Sequence, residues 1–264
     1  MDLNLRARVA IVTGGSQGIG FATAEELLRE GVAVSICARD EERLASAKGE
    51  LEGKTGGRVE AMHADVMIPE EIEAFVAETE RRLGPVDILV NNAANYYDGD
   101  MVEMPDEYWD HHLTTKFKAY MRFVRLVAPG MKERGWGRII NLGGGAARRV
   151  NLGSGTAGPV NAAITTYTKY IAIELAPFGI RVNLIHPGGA RTQRREIAIK
   201  RRMAREGLTH EEVERDIIAN VPIGRMIEAS DAAKLITFLC SDWADAITGQ
   251  TISVNGGADR AVDY

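Results

Sequence analysis

The sequence predicts an α/β fold: a single Rossmann-type doubly wound domain with a mostly parallel, seven-stranded sheet and helices on both faces. Three observations predict it. Short, almost continuous apolar runs alternate with stretches of helical periodicity, the pattern of strands buried on both faces. The first apolar run ends in a glycine-rich turn that opens a helix. No linker or compositional break divides the 264 residues, so residues 1–264 read as one domain.

The elements follow in order. Residues 9–12, Val9-Ala10-Ile11-Val12, form the first strand, and 20–30 the first helix, with Phe21, Ala24, Leu27 and Leu28 on its apolar side. A strand at 32–37 precedes a helix at 41–51. A strand at 58–62 precedes a helix at 69–83, opened by Pro69 at its first turn. The fourth strand, 86–90, leads to a long helix at 106–134 with an expected kink at Pro129. The remaining elements are a strand at 138–142, a helix at 157–176, and strands at 180–185 and 251–254.

Composition narrows the function. With 26% charged and 45% hydrophobic residues the chain is ordinary globular protein, and a net charge of −5 argues against a nucleic-acid binder. The two cysteines, Cys37 and Cys240, stand far apart and outside any CxxC spacing, which argues against a disulfide framework or a zinc site; no metal is expected. Met1-Asp2-Leu3-Asn4 does not open a signal peptide and no run of about 18 apolar residues occurs, so a cytoplasmic protein without a membrane partner is the expectation.

The turn after the first strand reads Thr13-Gly14-Gly15-Ser16-Gln17-Gly18-Ile19-Gly20. Glycine permits positive φ and lets the backbone approach a pyrophosphate, and the following helix offers free N–H groups and a positive dipole end. A glycine-rich loop without a ligand is the alternative.

From this turn on, the sequence resembles the short-chain dehydrogenase/reductase family over nearly its whole length. Thr13 to Gly20 matches the family's TGxxxGIG turn. Asp65-Val66 matches its adenine-contacting acidic position, and Asn91-Asn92-Ala93-Ala94 its NNAG motif. Pro187-Gly188 followed by Thr192 matches the segment that holds the nicotinamide carboxamide, and 248–257 matches the C-terminal segment. The resemblance implies a dinucleotide held by Gly14, Ser16, Gln17, Gly18, Ile19, Gly20, Asp65, Val66, Asn92, Ala93, Asn161, Pro187, Gly188 and Thr192. The second strand ends in Ala38-Arg39-Asp40. NAD-specific relatives carry Asp at the place of Ala38, whereas the guanidinium of Arg39 suits a 2′-phosphate. NADP(H) is therefore favoured; NAD(H), with Asp40 on the ribose, is the alternative, as is Arg39 paired with Glu41 or Glu42 on the surface.

The family's proton-transfer machinery has no counterpart in the motif. YxxxK occurs nowhere in the chain. Counting back from Glu174-Leu175-Ala176-Pro177 and Arg181-Val182-Asn183 places Ala157 at the tyrosine position, Asn161 at the lysine position and Gly144 at the serine position. Counting from Trp109 places Lys116 at the asparagine position. The expectation is an atypical oxidoreductase acting on a small carbonyl or alcohol. Lys116, Ser154, Thr156, Tyr96 and Tyr97 are the candidate replacement donors, with Lys116, Ser154 and Tyr97 foremost. A non-redox enzyme using His111, His112 or His186, and an NADP(H)-binding regulatory protein, are the alternatives.

Residues 191–220 resemble the family's substrate lid. Its Arg191, Arg194, Arg195, Lys200, Arg201, Arg202 and Arg205, with Arg148 and Arg149 nearby, either attract an anionic substrate or form a solvated face. The resemblance also implies a homotetramer, or a homodimer, joined by the helices at 106–134 and 157–176.

Overall fold

A computed structural model describes residues 2–150 and 152–259. Seven strands form one all-parallel sheet: β1 Val9–Thr13, β2 Ala33–Ala38, β3 Val59–His63, β4 Ile88–Asn91, β5 Gly137–Leu142, β6 Ile180–His186 and β7 Thr251–Ser253, in the order β3-β2-β1-β4-β5-β6-β7. The helices are α1 Gly18–Arg29, α2 Glu41–Thr55, α3 Pro69–Leu83, α4 Asp106–His112, α5 Ala119–Arg134, α6 Ala157–Leu175, α7 Gln193–Glu206, α8 His210–Ala219 and α9 Ala229–Cys240.

Alternation along the strands divides the core in two. Ala10, Val12, Val34, Ile36, Ile88 and Val90 pack with Leu27, Leu28, Leu44, Leu51, Ile236 and Leu239 of α1, α2 and α9. Ile11, Cys37, Leu89, Ile139 and Val182 face the other way, onto Ile72, Phe75, Phe123, Val127, Ile171 and Leu175 of α3, α5 and α6. Each Val, Leu, Ile or Phe among them, fully buried, contributes about 1.5–3 kcal/mol of transfer free energy. The sheet order reverses between β1 and β4, and a crevice opens there at the carboxyl ends of the strands.

The structure corrects four details of the sequence reading. β4 starts at Ile88, because Asp87 is spent on the edge of β1, accepting a hydrogen bond from Val9 N at 3.2 Å. α2 runs on to Thr55 and stops where Gly56 takes φ +64°. The long helix is interrupted at Leu113–Lys118, a π-helical turn in which Ala119 N–H reaches Thr114 O, and not at Pro129. Pro129 lies on the exposed face of α5, where a carbonyl left without its helical donor is open to solvent and costs little. The expected lid resolves into α7 and α8, and α9 was not anticipated.

Candidate functional site: a cleft at the strand ends

A cleft of about 750 Å³ lies at the crossover and is lined from the glycine turn to α7. The turn is braced from β4. Thr13 Oγ1 accepts hydrogen bonds from Asn92 N and Ala93 N, both 2.9 Å, while Asn92 Nδ2 donates to Thr13 O and Gly14 O. Gly14 takes φ +64°, and a Cβ on Gly20 would stand 2.6 Å from Asn92 Nδ2, so both positions require glycine. Gln17 caps α1 without a side-chain hydrogen bond, leaving backbone N–H groups of its first turn directed at the cleft. That is an anion seat, and it fits a pyrophosphate.

The outer end carries the groups expected to choose the dinucleotide. Arg39 lies 3.9 Å from Asp65, rather than on Glu41 or Glu42, and its side chain is mostly exposed to the cleft. Asp40 is the N-cap of α2, accepting from Arg43 N at 3.0 Å, and its carboxylate also pairs with the Arg43 guanidinium at 3.3 Å. A second arginine, Arg43, therefore faces the same space, with Gln17 Oε1 accepting from it at 3.2 Å. The sequence reading missed Arg43, although its place one helical turn after the N-cap Asp40 puts it beside the end of β2. Two guanidinium groups over an open pocket fit a phosphate on the ribose. Val66 lines the same wall.

At the inner end, Lys116, Asn161, Gly144, Ala157 and Ser154 come together, as do Pro187, Gly188 and Thr192 opposite them. Lys116, on the π-helical turn, is almost wholly buried. Its Nζ donates to Asn161 Oδ1 at 2.5 Å and to Gly143 O at 3.4 Å. Burial, reinforced by the charge of Arg194, pulls its ammonium down to about 7. A Cβ at Gly144 would stand 2.7 Å from Asn161 Nδ2, and one at Gly143 2.6 Å from His186 Nδ1. The glycine run is thus what lets Asn161 and His186 approach β5 so closely. Thr192 caps α7, accepting from Arg195 N at 3.3 Å, and lies against Gly18.

The aromatic loop after β4 divides. Tyr96 lines the cleft, with Arg194 stacked 3.7 Å over its ring. Tyr97 is not among the lining residues; it stacks on Tyr108 at 4.0 Å and meets His111 at 5.2 Å. Neighbouring side chains in an extended loop point to opposite sides, so Tyr96 and not Tyr97 reaches the pocket. His112 is buried, hydrogen-bonded to Thr156 Oγ1 at 2.7 Å, and burial together with Lys116 and Arg194 pushes it down to about 3. It is neutral at physiological pH, and it ties up Thr156. His186 is likewise buried, at the end of β6.

Most of the lid's basic residues are spent on ion pairs. Arg191 pairs with Glu214 and Glu228, Arg201 with Asp98, Arg202 with Glu206 and Asp216, and Arg205 with Glu206. Arg149 reaches Ala258 O, and neither it nor Arg148 lines the cleft. Only Arg194 and Arg195 of this set face it.

Comparison with known proteins agrees with this geometry. A family model described as enoyl-(acyl carrier protein) reductase matches residues 14–259. The chain is 34% identical over 253 residues to the 3-oxoacyl-(acyl-carrier-protein) reductase FabG of Haemophilus influenzae, covering 96% of this chain and 98% of that one. Among solved structures, L-sorbose reductase from Gluconobacter frateurii, complexed with NADPH and L-sorbose, superposes with a TM-score of 0.95 at 32% identity, covering 99% of this chain and all of the other. An actinorhodin polyketide ketoreductase variant with NADPH superposes at 0.92 with 34% identity, covering 96% and 98%.

Proposed function

The chain belongs to the short-chain dehydrogenase/reductase family, and from that premise we propose that it is an NADP(H)-dependent oxidoreductase that reduces a small carbonyl compound with Lys116 as the proton donor. The glycine turn and the N-terminus of α1 take the pyrophosphate, Arg39 and Arg43 the 2′-phosphate, Asp65 and Val66 the adenine, and Thr192 the carboxamide. The nicotinamide ring, when bound, supplies hydride chemistry.

The observation that carries the mechanism is the position of Lys116: an ammonium buried in the cleft wall, fixed by Asn161 Oδ1 and Gly143 O, with no carboxylate beside it among the described residues. Its environment brings the proton affinity near neutrality, where a side chain can both hold a proton and release it. As a carbonyl oxygen gains negative charge it takes the proton from Nζ. Asn161 fixes the position of Nζ at the cleft wall, where Lys116 is almost wholly buried. Ser154, which lines the same cleft, is the second donor we assign to that oxygen.

Lys116→Met is expected to lower kcat by about 10²–10⁴-fold, the usual contribution of general acid catalysis, with NADPH affinity by fluorescence titration retained. Lys116→Arg is expected to fail as well, because a guanidinium does not give up its proton. Deprotonation of Nζ removes the acid, so carbonyl reduction by the wild type is expected to be constant below, and to fall as pH rises through, about 7. A pH profile of kcat/KM that stays flat from 6 to 9, in ~0.1 M buffer, removes Lys116 from this role. For the cofactor, Arg39→Ala is expected to weaken NADPH binding by roughly ten- to a hundredfold, the equivalent of one charged hydrogen bond, and to leave NADH binding unchanged; equal losses for both dinucleotides overturn the assignment.

Gly144 and Ala157 bring no proton-transferring side chain to the cleft, which favours a second reading: NADP(H) binding without turnover. It is distinguished by NADPH that binds but is consumed with no member of a carbonyl panel. We also propose a homotetramer, assembled through α5 and α6.

A further inference from the structure

Among the described residues, the inner half of the cleft carries an excess of positive charge. Among the described residues lining the cleft, the carboxylates are Asp40 and Asp65, and both are at the outer end with Arg43 and Arg39. The inner end has Lys116, Arg194 and Arg195. Neither Arg194 nor Arg195 has a carboxylate within ion-pair distance among the described residues, in contrast to Arg191, Arg201, Arg202 and Arg205 on the same lid. Arg195 is folded down over Gly189, its guanidinium carbon 3.3 Å from where a Cβ on that glycine would lie, and its Nε is buried without a hydrogen-bond acceptor. Arg194 is held by the face of Tyr96, a contact that orients a guanidinium without neutralising it. Lys116 is buried and Arg195 half-buried beside the exposed Arg194, and cations gathered in this way around one space favour an anion in it.

We propose that the substrate of the reaction described above is an anionic carbonyl compound, an oxo acid or a carbonyl-bearing phosphate ester, whose anionic group is seated between Lys116 and the guanidinium groups of Arg194 and Arg195. This rests on the reductase reading of the same cleft. A planar guanidinium fork binds carboxylate or phosphate oxygens in pairs, and Tyr96 sets the fork of Arg194 in place before the ligand arrives.

The seat also bears on the proton donor. The groups facing Lys116 are Arg194 from α7, His112 from α4, Asn161 from α6, the Gly143 carbonyl after β5, and Tyr96 from the loop above. None of them is an anion, and His112 is neutral. An anion delivered by the substrate therefore adds a negative charge beside Nζ that none of these groups supplies, and it favours the protonated form. The donor is charged most firmly when there is a carbonyl to protonate. The alkaline limb of kcat is accordingly expected at higher pH than that of kcat/KM.

The test uses the full chain saturated with NADPH, so that the cofactor's own phosphates are already accommodated. Malonate and inorganic phosphate are titrated by calorimetry against the wild type, Arg194→Gln, Arg195→Gln and Arg194→Lys. Binding to the wild-type complex, weakened tenfold or more in both Gln variants and partly restored by Lys at 194, is the expected result. In parallel, a panel of 2- and 3-oxo acids is compared with their methyl esters. The acids are expected to exceed the esters at least tenfold in kcat/KM, through KM, and to lose that advantage in the two Gln variants. Anion binding that occurs only without NADPH assigns the arginines to the cofactor and overturns the proposal, as does anion binding unchanged in both Gln variants. Esters reduced as well as acids, with the Lys116-dependent pH limb intact, overturn it while the reductase reading stands. Arginine-dependent anion binding with no carbonyl reduced leaves the seat in place and removes the reductase reading.

Discussion

Lys116, Asn161 and Gly144 form one steric and electrostatic unit. Asn161 fills the space a side chain at 144 would occupy, and Lys116 is anchored to Asn161. Gly144→Ser, which adds a side chain where Asn161 already stands, is therefore expected to destabilise the fold by about 1–3 kcal/mol through overpacking. That corresponds to a fall in melting temperature of about 2–4 °C for each kcal/mol in a domain of this size. Adding Asn161→Ala, which empties the space, is expected to recover most of it; melting curves of the single and double variants decide. The sequence makes these three residues conspicuous only by what they replace. Motif register brings 116, 144, 157 and 161 to one place, and the cleft unites them. The pairing of Lys116 with Asn161 is different in kind, since it depends on the phase of two helices far apart in sequence. For the same reason Tyr96 and Tyr97 were indistinguishable in sequence, and Arg194 and Arg195 could not be separated from the ion-paired arginines around them.

The π-helical turn at Leu113–Lys118 sets that phase. One extra residue in the turn lets Lys116 and Thr115 both point inward while His112, one turn earlier, still faces Thr156. Deleting Thr114 is expected to restore regular α-helix and to rotate the residues before it by about 100° relative to those after it. Helix content by circular dichroism is expected to be unchanged, with turnover reduced roughly 10²-fold, the scale on which displacement of a positioned group is felt. Retention of full activity by that variant removes the π turn from the mechanism. Sequence periodicity shows such a turn poorly. A single inserted residue shifts the apolar stripe by less than the width of the stripe itself, and Pro129, the obvious breaker, lies on an exposed face where a lost hydrogen bond costs little. α9 is different: Ala232, Ala233, Ile236, Leu239 and Cys240 recur at helical spacing and form its buried face, so its signal was present in the sequence and was passed over.

At the scale of the whole molecule, strand runs and turn motifs predicted the parallel sheet well, because inner strands such as β1 and β4 are buried along their whole length and read as short apolar runs. Assembly is less visible, since it depends on which apolar residues are left outside. Leu126 of α5, Tyr170 and Ile173 of α6, and Phe178 just beyond it remain exposed, with Ile173 at 66% and Tyr170 at 73%. Apolar patches of this kind mark contact surfaces. Light scattering is expected to give the mass of a tetramer for the wild type and a smaller species for Tyr170→Glu with Ile173→Glu. A monomeric wild type ends that proposal. The described helices include none long and apolar enough to cross a membrane.

The bond between Lys116 and Asn161 has a consequence for descent. Asn161→Lys alone would set two amines against each other in a buried space, whereas Lys116→Asn alone would leave two amides that can hydrogen-bond. An exchange of these two residues by way of the amide pair avoids that repulsion, through a form without a cation at this point of the cleft. The two positions are thus coupled by charge as well as by contact.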